Sequence, residues 1–452
     1  MPKTAEQIVQ AVKNAGIIGA GGGGFPTHVK LQTKVDTIIA NGSECEPLLA
    51  SDRTMMVQKP ELLIEGMKYA MQATSAKQGI IALKSHYHDA IDAIKKHLPS
   101  DGSIKLHLLD NYYPAGDEFL LVYEVTGKII PEGGIPLNVG IVVNNVITLM
   151  QIAHAVNGKP ITERAVTLIG ELREPKVVIV PIGTTYNDLI KLAGGLKIKD
   201  AVLIDGGPMM GKIVDDWNQG IGKTTSGVIA LPKNHLLIRK AKKPLGQIIK
   251  QTKSACCQCF RCTDLCPRNL LGHELYPHMT MRTIAYNSAE PTKHITSAFL
   301  CSQCGMCELI ACDFMHLSPR KIFAEYKSEL ISRGVKSPHK NAPAKANSQF
   351  KNRKPSIQMV MKKLNLEKYN CKPVFAGIQQ IKMVRIPLNK HVGAPAISQV
   401  NLGQMVRRCD IIAATPQDKL GAVYHASIDG KITEVNDNYI EIKYAKTIAR
   451  TN

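Results

Sequence analysis

Cys256-Cys257-Gln258-Cys259-Phe260-Arg261-Cys262-Thr263-Asp264-Leu265-Cys266-Pro267, followed by Cys301-Ser302-Gln303-Cys304-Gly305-Met306-Cys307 and then Cys312, is the stretch on which the reading of this 452-residue chain turns. Eight of the 12 cysteines fall at the spacings C-x2-C-x2-C-x3-C-P and C-x2-C-x2-C-x4-C in these two runs, with Cys257 a ninth inside the first. A disulfide framework needs an oxidising compartment. The opening Met1–Gln7 has no apolar h-region, so a cytoplasmic location and metal-bound thiolates are expected. Structural zinc uses paired C-x2-C arms, whereas these are four-cysteine runs. The first spacing is one that ligates [4Fe–4S] clusters, and two such clusters are expected.

In the two-cluster ferredoxin arrangement the fourth cysteine of each run crosses to the other cluster. Cys256, Cys259, Cys262 and Cys312 then hold one cluster, and Cys301, Cys304, Cys307 and Cys266 the other. The x4 gap before Cys312, with no proline after it, departs from that arrangement and leaves the fourth ligand of each cluster open. Cys257 adjoins a ligand, while Cys45, Cys371 and Cys409 are isolated and read as small packing residues. His273, His278 and His294 lie between the runs and read as packed or solvated.

The length calls for three or four domains. The formal charge is +20, but the Lys and Arg residues are scattered, and one Trp with 5% aromatics argues against a base-stacking platform. No nucleic-acid partner is expected. No apolar run is long enough to span a bilayer.

Glu6–Ala15 carries Ile8, Val9, Val12 and Ala15 at helical spacing and runs into Gly19-Ala20-Gly21-Gly22-Gly23-Gly24-Phe25-Pro26-Thr27. Gly19, Gly21 and Gly24 match G-x-G-x-x-G, yet a helix precedes them and Phe-Pro-Thr follows. The strand-to-helix context of a dinucleotide fingerprint is therefore missing. Residues without Cβ still let backbone N–H groups close on a phosphate or a flat ring. Short apolar runs at Asp36–Ala40, Gly79–Leu83 and Ile141–Thr148 alternate with helical segments, so residues 1–160 read as an α/β domain.

Four ordered segments carry a resemblance: Gly19–Lys30, Asn41-Gly-Ser-Glu-Cys-Glu-Pro47, Tyr113-Pro-Ala-Gly-Asp-Glu118 and Val143-Asn-Asn-Val-Ile-Thr148. They resemble the NADH-oxidising flavoprotein subunit of respiratory complex I and the RnfC electron-transport subunit. The resemblance implies an FMN pocket lined by Gly19, Gly21, Gly22, Lys30, Asn41, Glu44, Glu46, Tyr113, Gly116, Asp117, Asn144, Asn145 and Thr148, with Phe25 and Glu118 facing NADH. Ala20, Ser43 and Asp117 stand where complex I carries arginine, aspartate and glutamate.

Residues 161–235 have β-rich runs around a helix capped by Gly194-Gly195 and resemble the β-grasp (SLBB-like) domain that follows the flavin domain in the same family. Asp205–Gly211 reads as a tight turn rather than a ligand loop. Residues 236–334 read as a helical two-cluster domain. Residues 335–375, opening with a Lys-, Pro-, Asn- and Ser-rich stretch, read as a flexible linker. Residues 376–452 resemble the barrel-sandwich hybrid module, without a carrier-type lysine hairpin.

This domain order resembles the PduS-type cobalamin reductases of propanediol-utilisation microcompartments. The resemblance implies NADH oxidation through FMN and two [4Fe–4S] clusters to cob(III)alamin, giving cob(II)alamin and cob(I)alamin. It also implies a cob(I)alamin adenosyltransferase and microcompartment shell proteins as partners, inside a bacterial microcompartment. The rival readings are an RnfC-like subunit exchanging electrons with ferredoxin and a non-enzymatic cluster-bearing microcompartment protein.

Overall fold

The computed structural model describes residues 3–288 and 292–445. The end of the expected sandwich (446–452) and part of the expected helical run between the cysteines (289–291) lie outside the described residues.

In the first domain β1 (Thr37–Gly42), β2 (Gln78–Lys84), β3 (Ile104–Leu109) and β4 (Ile141–Asn145) form a parallel sheet in the order β3-β2-β1-β4. Successive strand residues point to opposite faces. Ile38 and Ala40 accordingly enter the core beneath the helices Ala5–Asn14, Pro60–Thr74 and Val146–Val156, while Ile39 packs with Leu121 and Val122 of the helix Glu118–Thr126. Burial on both faces is why β1, β2 and β4 read as short continuous apolar runs. The strand order reverses between β1 and β4, which opens a crevice at their C-terminal ends.

The second sheet contains β5 (Glu163–Gly170), β6 (Lys176–Pro181), β7 (Ala201–Asp205), β8 (Lys212–Ile213) and β9 (Gly227–Pro232). The β5–β6 hairpin, the packed helix Tyr186–Leu192 and the parallel β5–β9 pair form the expected β-grasp. A later strand, β10 (Val374–Ile378), adds to its edge beside β6, so a boundary at 376 cuts through an element.

Helices carry the cysteine region, chiefly Leu245–Ala255, Pro277–Ala285 and Pro319–Ser332, with a π-helical turn over Met306–Ala311. The C-terminal sandwich has one antiparallel sheet of β11 (Met383–Pro387), β13 (Met405–Val406), β16 (Gly430–Val435) and β17 (Tyr439–Lys443). The other holds β12 (Ile397–Ser398), β14 (Ile411–Ala414) and β15 (Val423–His425). Its Val384, Ile386, Tyr424 and Ile432 share one continuous core with Ile17 and Ile18 of the flavin domain.

The segment expected to be a flexible linker is instead an ordered strap. Phe350 packs with Tyr112 and Leu120, and the helix Ile357–Lys363 buries Val360 and Met361, with Leu364 and Leu366 buried just beyond it. Backbone bonds tie it to the first domain, from Tyr113 N–H to Pro355 O (3.0 Å) and from Ile357 N–H to Asn111 O (3.3 Å). Ile357, Val360, Met361 and Leu364 form a helical stripe whose signal is hidden by the polar residues before it.

Among the described residues no helix is long and apolar enough to cross a membrane.

Candidate functional site: a flavin crevice beside two cysteine cavities

At the β1/β4 crevice the glycine-rich loop closes on itself, with Gly19 N–H donating to Phe25 O (2.9 Å) and Gly24 N–H to Gly19 O (3.2 Å). Ala20 holds the loop in place. Its N–H donates to Thr148 Oγ1 (2.9 Å), and its carbonyl accepts from Arg164 Nη2 (2.7 Å). Gly21 lies so near Asn145 that an added Cβ would come 3.4 Å from the Asn145 Cβ, whereas Gly22 and Gly23 face open space. Lys30 Nζ donates to Val143 O (3.0 Å) and Glu118 Oε1 (3.2 Å), and Asn41 Nδ2 donates to Gly116 O (2.9 Å). Gly116 has to be glycine, because a Cβ there would stand 2.6 Å from the Ser43 carbonyl. Asn145 caps the helix Val146–Val156 through Ile147 N–H (2.9 Å) and donates to Asp52 Oδ2 (2.6 Å).

Three buried polar atoms around this crevice have no hydrogen-bond partner: Ser43 Oγ, Asn144 Nδ2 and Arg164 Nη1. Buried polar groups are costly unless paired, so a polar ligand in the crevice fits this donor set. The crevice also holds a carboxylate cluster. Burial, reinforced by the charges of Asp52 and Glu46, pushes the Glu44 carboxyl well up. Burial also raises Asp52, opposed by Arg164 and the Asn145 amide. Asp52, Arg164 and the buried Lys84 were not legible in the sequence, since an Asp in a helix and an Arg on a strand carry no local signal of burial.

The expected flavin residues divide into two groups. Gly19, Gly21, Gly22, Lys30, Asn41, Glu44, Gly116, Glu118, Asn144, Asn145 and Thr148 gather at the crevice, with Phe25 half-buried at the loop's exit. Glu46, Tyr113 and Asp117 turn toward other domains. Glu46 accepts from Met209 N–H (2.8 Å) and Met210 N–H (2.9 Å), and burial raises its carboxyl to about 7 against those two donors. The Asp205–Gly211 turn is thus a bracket for the first domain. Tyr113 is fully buried and donates its hydroxyl to Cys304 O (2.6 Å). Asp117 caps the helix Glu118–Thr126 and pairs with Arg268 Nη1 at 2.6 Å, and the Arg268 guanidinium lies 3.8 Å from the Phe119 ring centroid.

The eight cysteines line two cavities. Cys266, Cys301, Cys304 and Cys307 line one, with Arg268 and Arg320 on its wall and an empty volume of ≈ 330 Å³. Cys256, Cys259, Cys262 and Cys312 line the other, with Phe260 and His278, and an empty volume of ≈ 370 Å³. The crossing of the fourth cysteines follows from the chain path. Cys266 stands at the N-cap of the short helix Pro267–Leu270, and the π-helical turn Met306–Ala311, which contains Cys307, sets Cys312 back beside the first run.

The two loops repeat each other. Gln258 and Phe260 are left-handed (φ 53° and 64°), as are Gln303 and Gly305 (φ 60° and 81°). Each glutamine amide donates to the first sulfur of its run, Gln258 Nε2 to Cys256 Sγ at 3.2 Å and Gln303 Nε2 to Cys301 Sγ at 3.4 Å. Burial and neighbouring sulfurs push the Cys262 thiol up to about 12 and Cys304 to about 11, and raise Cys266 and Cys307 strongly. Crowded, buried thiols ionise only beside a cationic centre, which is the chemistry an iron–sulfur cluster supplies.

Family comparisons match residues 12–154 to the Nuo51 FMN-binding domain, 165–212 to the SLBB domain, 255–317 to a 4Fe-4S dicluster domain and 367–448 to the RnfC barrel sandwich hybrid domain. The chain is 39% identical over 444 residues to the cobalamin reductase PduS of Salmonella typhimurium, covering 98% of this chain and 97% of that one. It is 40% identical over 440 residues to the PduS of Citrobacter freundii, covering 97% and 96%. The Na(+)-translocating ferredoxin:NAD(+) oxidoreductase complex of Acetobacterium woodii contains a protein that is 35% identical over 272 residues, 59% of each chain. At the PduS proteins' identity and near-complete coverage of both chains, the protein belongs to the family of PduS cobalamin reductases.

Proposed function

We propose that this flavin and iron–sulfur oxidoreductase takes electrons from NADH and delivers them to cobalamin, reducing cob(III)alamin to cob(II)alamin and cob(I)alamin. Bound FMN would accept a hydride and release electrons singly, and two [4Fe–4S] clusters would carry them one at a time. The open Gly22 and Gly23 and the unpaired Ser43, Asn144 and Arg164 groups suit the flavin. We assign Cys256, Cys259, Cys262 and Cys312 to one cluster, and Cys266, Cys301, Cys304 and Cys307 to the other.

The observation that carries this reading is the direct join between the flavin domain and the cavity of Cys266, Cys301, Cys304 and Cys307. Tyr113 bonds the Cys304 carbonyl, and Asp117 bonds Arg268, a wall residue of the same cavity. Both contacts are buried, so they exclude water and hold the distance between the two centres. Glu118, half-exposed at the crevice in its ion pair with Lys30, would face the nicotinamide together with Phe25.

The resemblance to PduS proteins further supports a place in a bacterial microcompartment, with a cob(I)alamin adenosyltransferase taking the product and shell proteins nearby. The test is anaerobic: purified protein is quantified for iron and flavin, then mixed with NADH and either hydroxocobalamin or ferredoxin. Eight irons, one FMN and NADH-driven corrin reduction are expected. Ferredoxin reduction with no corrin reduction overturns the proposal in favour of an RnfC-like role.

A further inference from the structure

The two quasi-equivalent cysteine loops differ in one respect that their ligands do not require. At the left-handed position after the second cysteine of its run, the buried loop has Gly305, whose Cβ would come 3.1 Å from Arg320 Nη1 and 3.2 Å from Met209 O. The other loop has Phe260 at the matching position, also left-handed, with 52% of its surface exposed. A bulky residue in that backbone region is strained, and a half-exposed ring gains little burial in return. Such strain marks a place to look for function.

The surroundings point to the same place. Cys257 and Cys259 are exposed there, whereas Cys266, Cys304 and Cys307 of the other cavity are buried, Cys304 in a core shared with Leu49 and Tyr113 of the flavin domain. A second ring, Phe314, is 48% exposed beside it. Each ring is braced rather than buried: His278 meets Phe260 edge-on at 4.4 Å, and the Arg261 guanidinium lies 5.1 Å from the Phe314 centroid. Arg261 pairs only loosely with Asp313 (3.8 Å), because Lys363 holds that carboxylate more closely.

From this geometry we infer that Phe260, Phe314 and Arg261 form the docking face for the corrin, at the mouth of the Cys256/Cys259/Cys262/Cys312 cavity. The inference rests on the proposed corrin reduction and locates it. The corrin ring offers a broad, largely apolar face to the two aromatic rings. The single phosphodiester of cobalamin's nucleotide loop matches Arg261, and that charge match favours the cofactor over a protein partner. Phe260 itself lines this cavity, whose Cys257 and Cys259 are exposed, so an acceptor seated there lies against the less buried of the two cysteine sets.

The test measures binding without turnover. Hydroxocobalamin is titrated into the oxidised, full-length, iron- and flavin-loaded protein, and bound corrin is read by equilibrium dialysis and difference absorbance. Phe260→Gly and Phe314→Ser are each expected to weaken binding by about 5- to 10-fold. Leu402→Ser, which removes an exposed apolar side chain from the distant sandwich, is expected to leave it unchanged. Phe260→Gly places glycine where the backbone is left-handed, so iron content and melting temperature are expected to match or exceed wild type. Wild-type corrin affinity in both phenylalanine variants overturns the docking face while leaving corrin reduction intact. Reduced ferredoxin turnover in these variants, with corrin binding unchanged, also overturns it and assigns the face to a protein. A wild-type protein that neither binds nor reduces corrin overturns the underlying function.

Discussion

At the residue scale, the side chains that matter most are those whose chemistry is changed by burial. Gln258 and Gln303 donate to cysteine sulfurs at equivalent places in the two loops. Hydrogen bonds to sulfur stabilise the reduced, more negative cluster. Gln303→Leu is therefore expected to lower the potential of its cluster by about 40 mV, roughly one ordinary hydrogen bond for a one-electron couple, in an EPR-monitored redox titration. Glu46 gives a pH prediction. Its carboxyl rises from 4.5 to about 7 on folding, so the folded state holds a proton that the unfolded state has released between those values. The stability it contributes is complete below pH 4.5 and is lost as pH rises through 7. Relative to Glu46→Gln, the wild-type unfolding free energy is expected to fall by up to about 3 kcal/mol across that window, measured by denaturant titration.

At the element scale, the strap beyond the cysteine domain is the clearest departure from sequence expectation. Its composition reads as a solvated tether, but Val360, Leu364 and Leu366 are fully buried against Tyr113, Ile204, Met209 and Ile310. It therefore clamps three domains together. Leu364→Ala is expected to cost about 2–5 kcal/mol in global unfolding, as for other large-to-small core changes. A surface linker would lose about 0.5 kcal/mol or less, so calorimetry separates the two. The glycine-rich loop was legible as a close-approach element, and the missing strand-to-helix context correctly separated it from a dinucleotide fold. Its anchoring by Arg164, a strand residue more than a hundred positions away in sequence, was not legible.

At the scale of the whole molecule, the C-terminal sandwich is part of the flavin domain's support. Lys223 is buried at the junction, donating to Gly16 O (2.7 Å) and Val423 O (2.6 Å) with Nζ 4.2 Å from the Tyr424 ring centroid. Val392 N–H reaches Gly24 O of the glycine loop (2.9 Å), and Ser427 Oγ donates to Ile182 O (2.6 Å). Truncation after residue 373 strips this shared core from Ile17 and Ile18. The shortened protein is expected to aggregate and retain little flavin, by size-exclusion chromatography and flavin fluorescence, while the full chain elutes as a single species.

Local spacing and residue type were enough, in the sequence alone, to read the iron–sulfur chemistry, the close-approach loop and the alternating strands and helices, while the order of the four domains came from the resemblance to a family. Metal ligation and backbone approach depend on neighbours within a few residues, so their signal survives in one dimension. Tertiary structure alone decided which cavity Cys266 and Cys312 each join, that the polar strap is ordered, and that Tyr113, Asp117 and Arg268 join the flavin domain to the inner cavity. Those features join residues from tens to nearly two hundred positions apart, and their energetics come from removal from water, which exists only once the chain has folded.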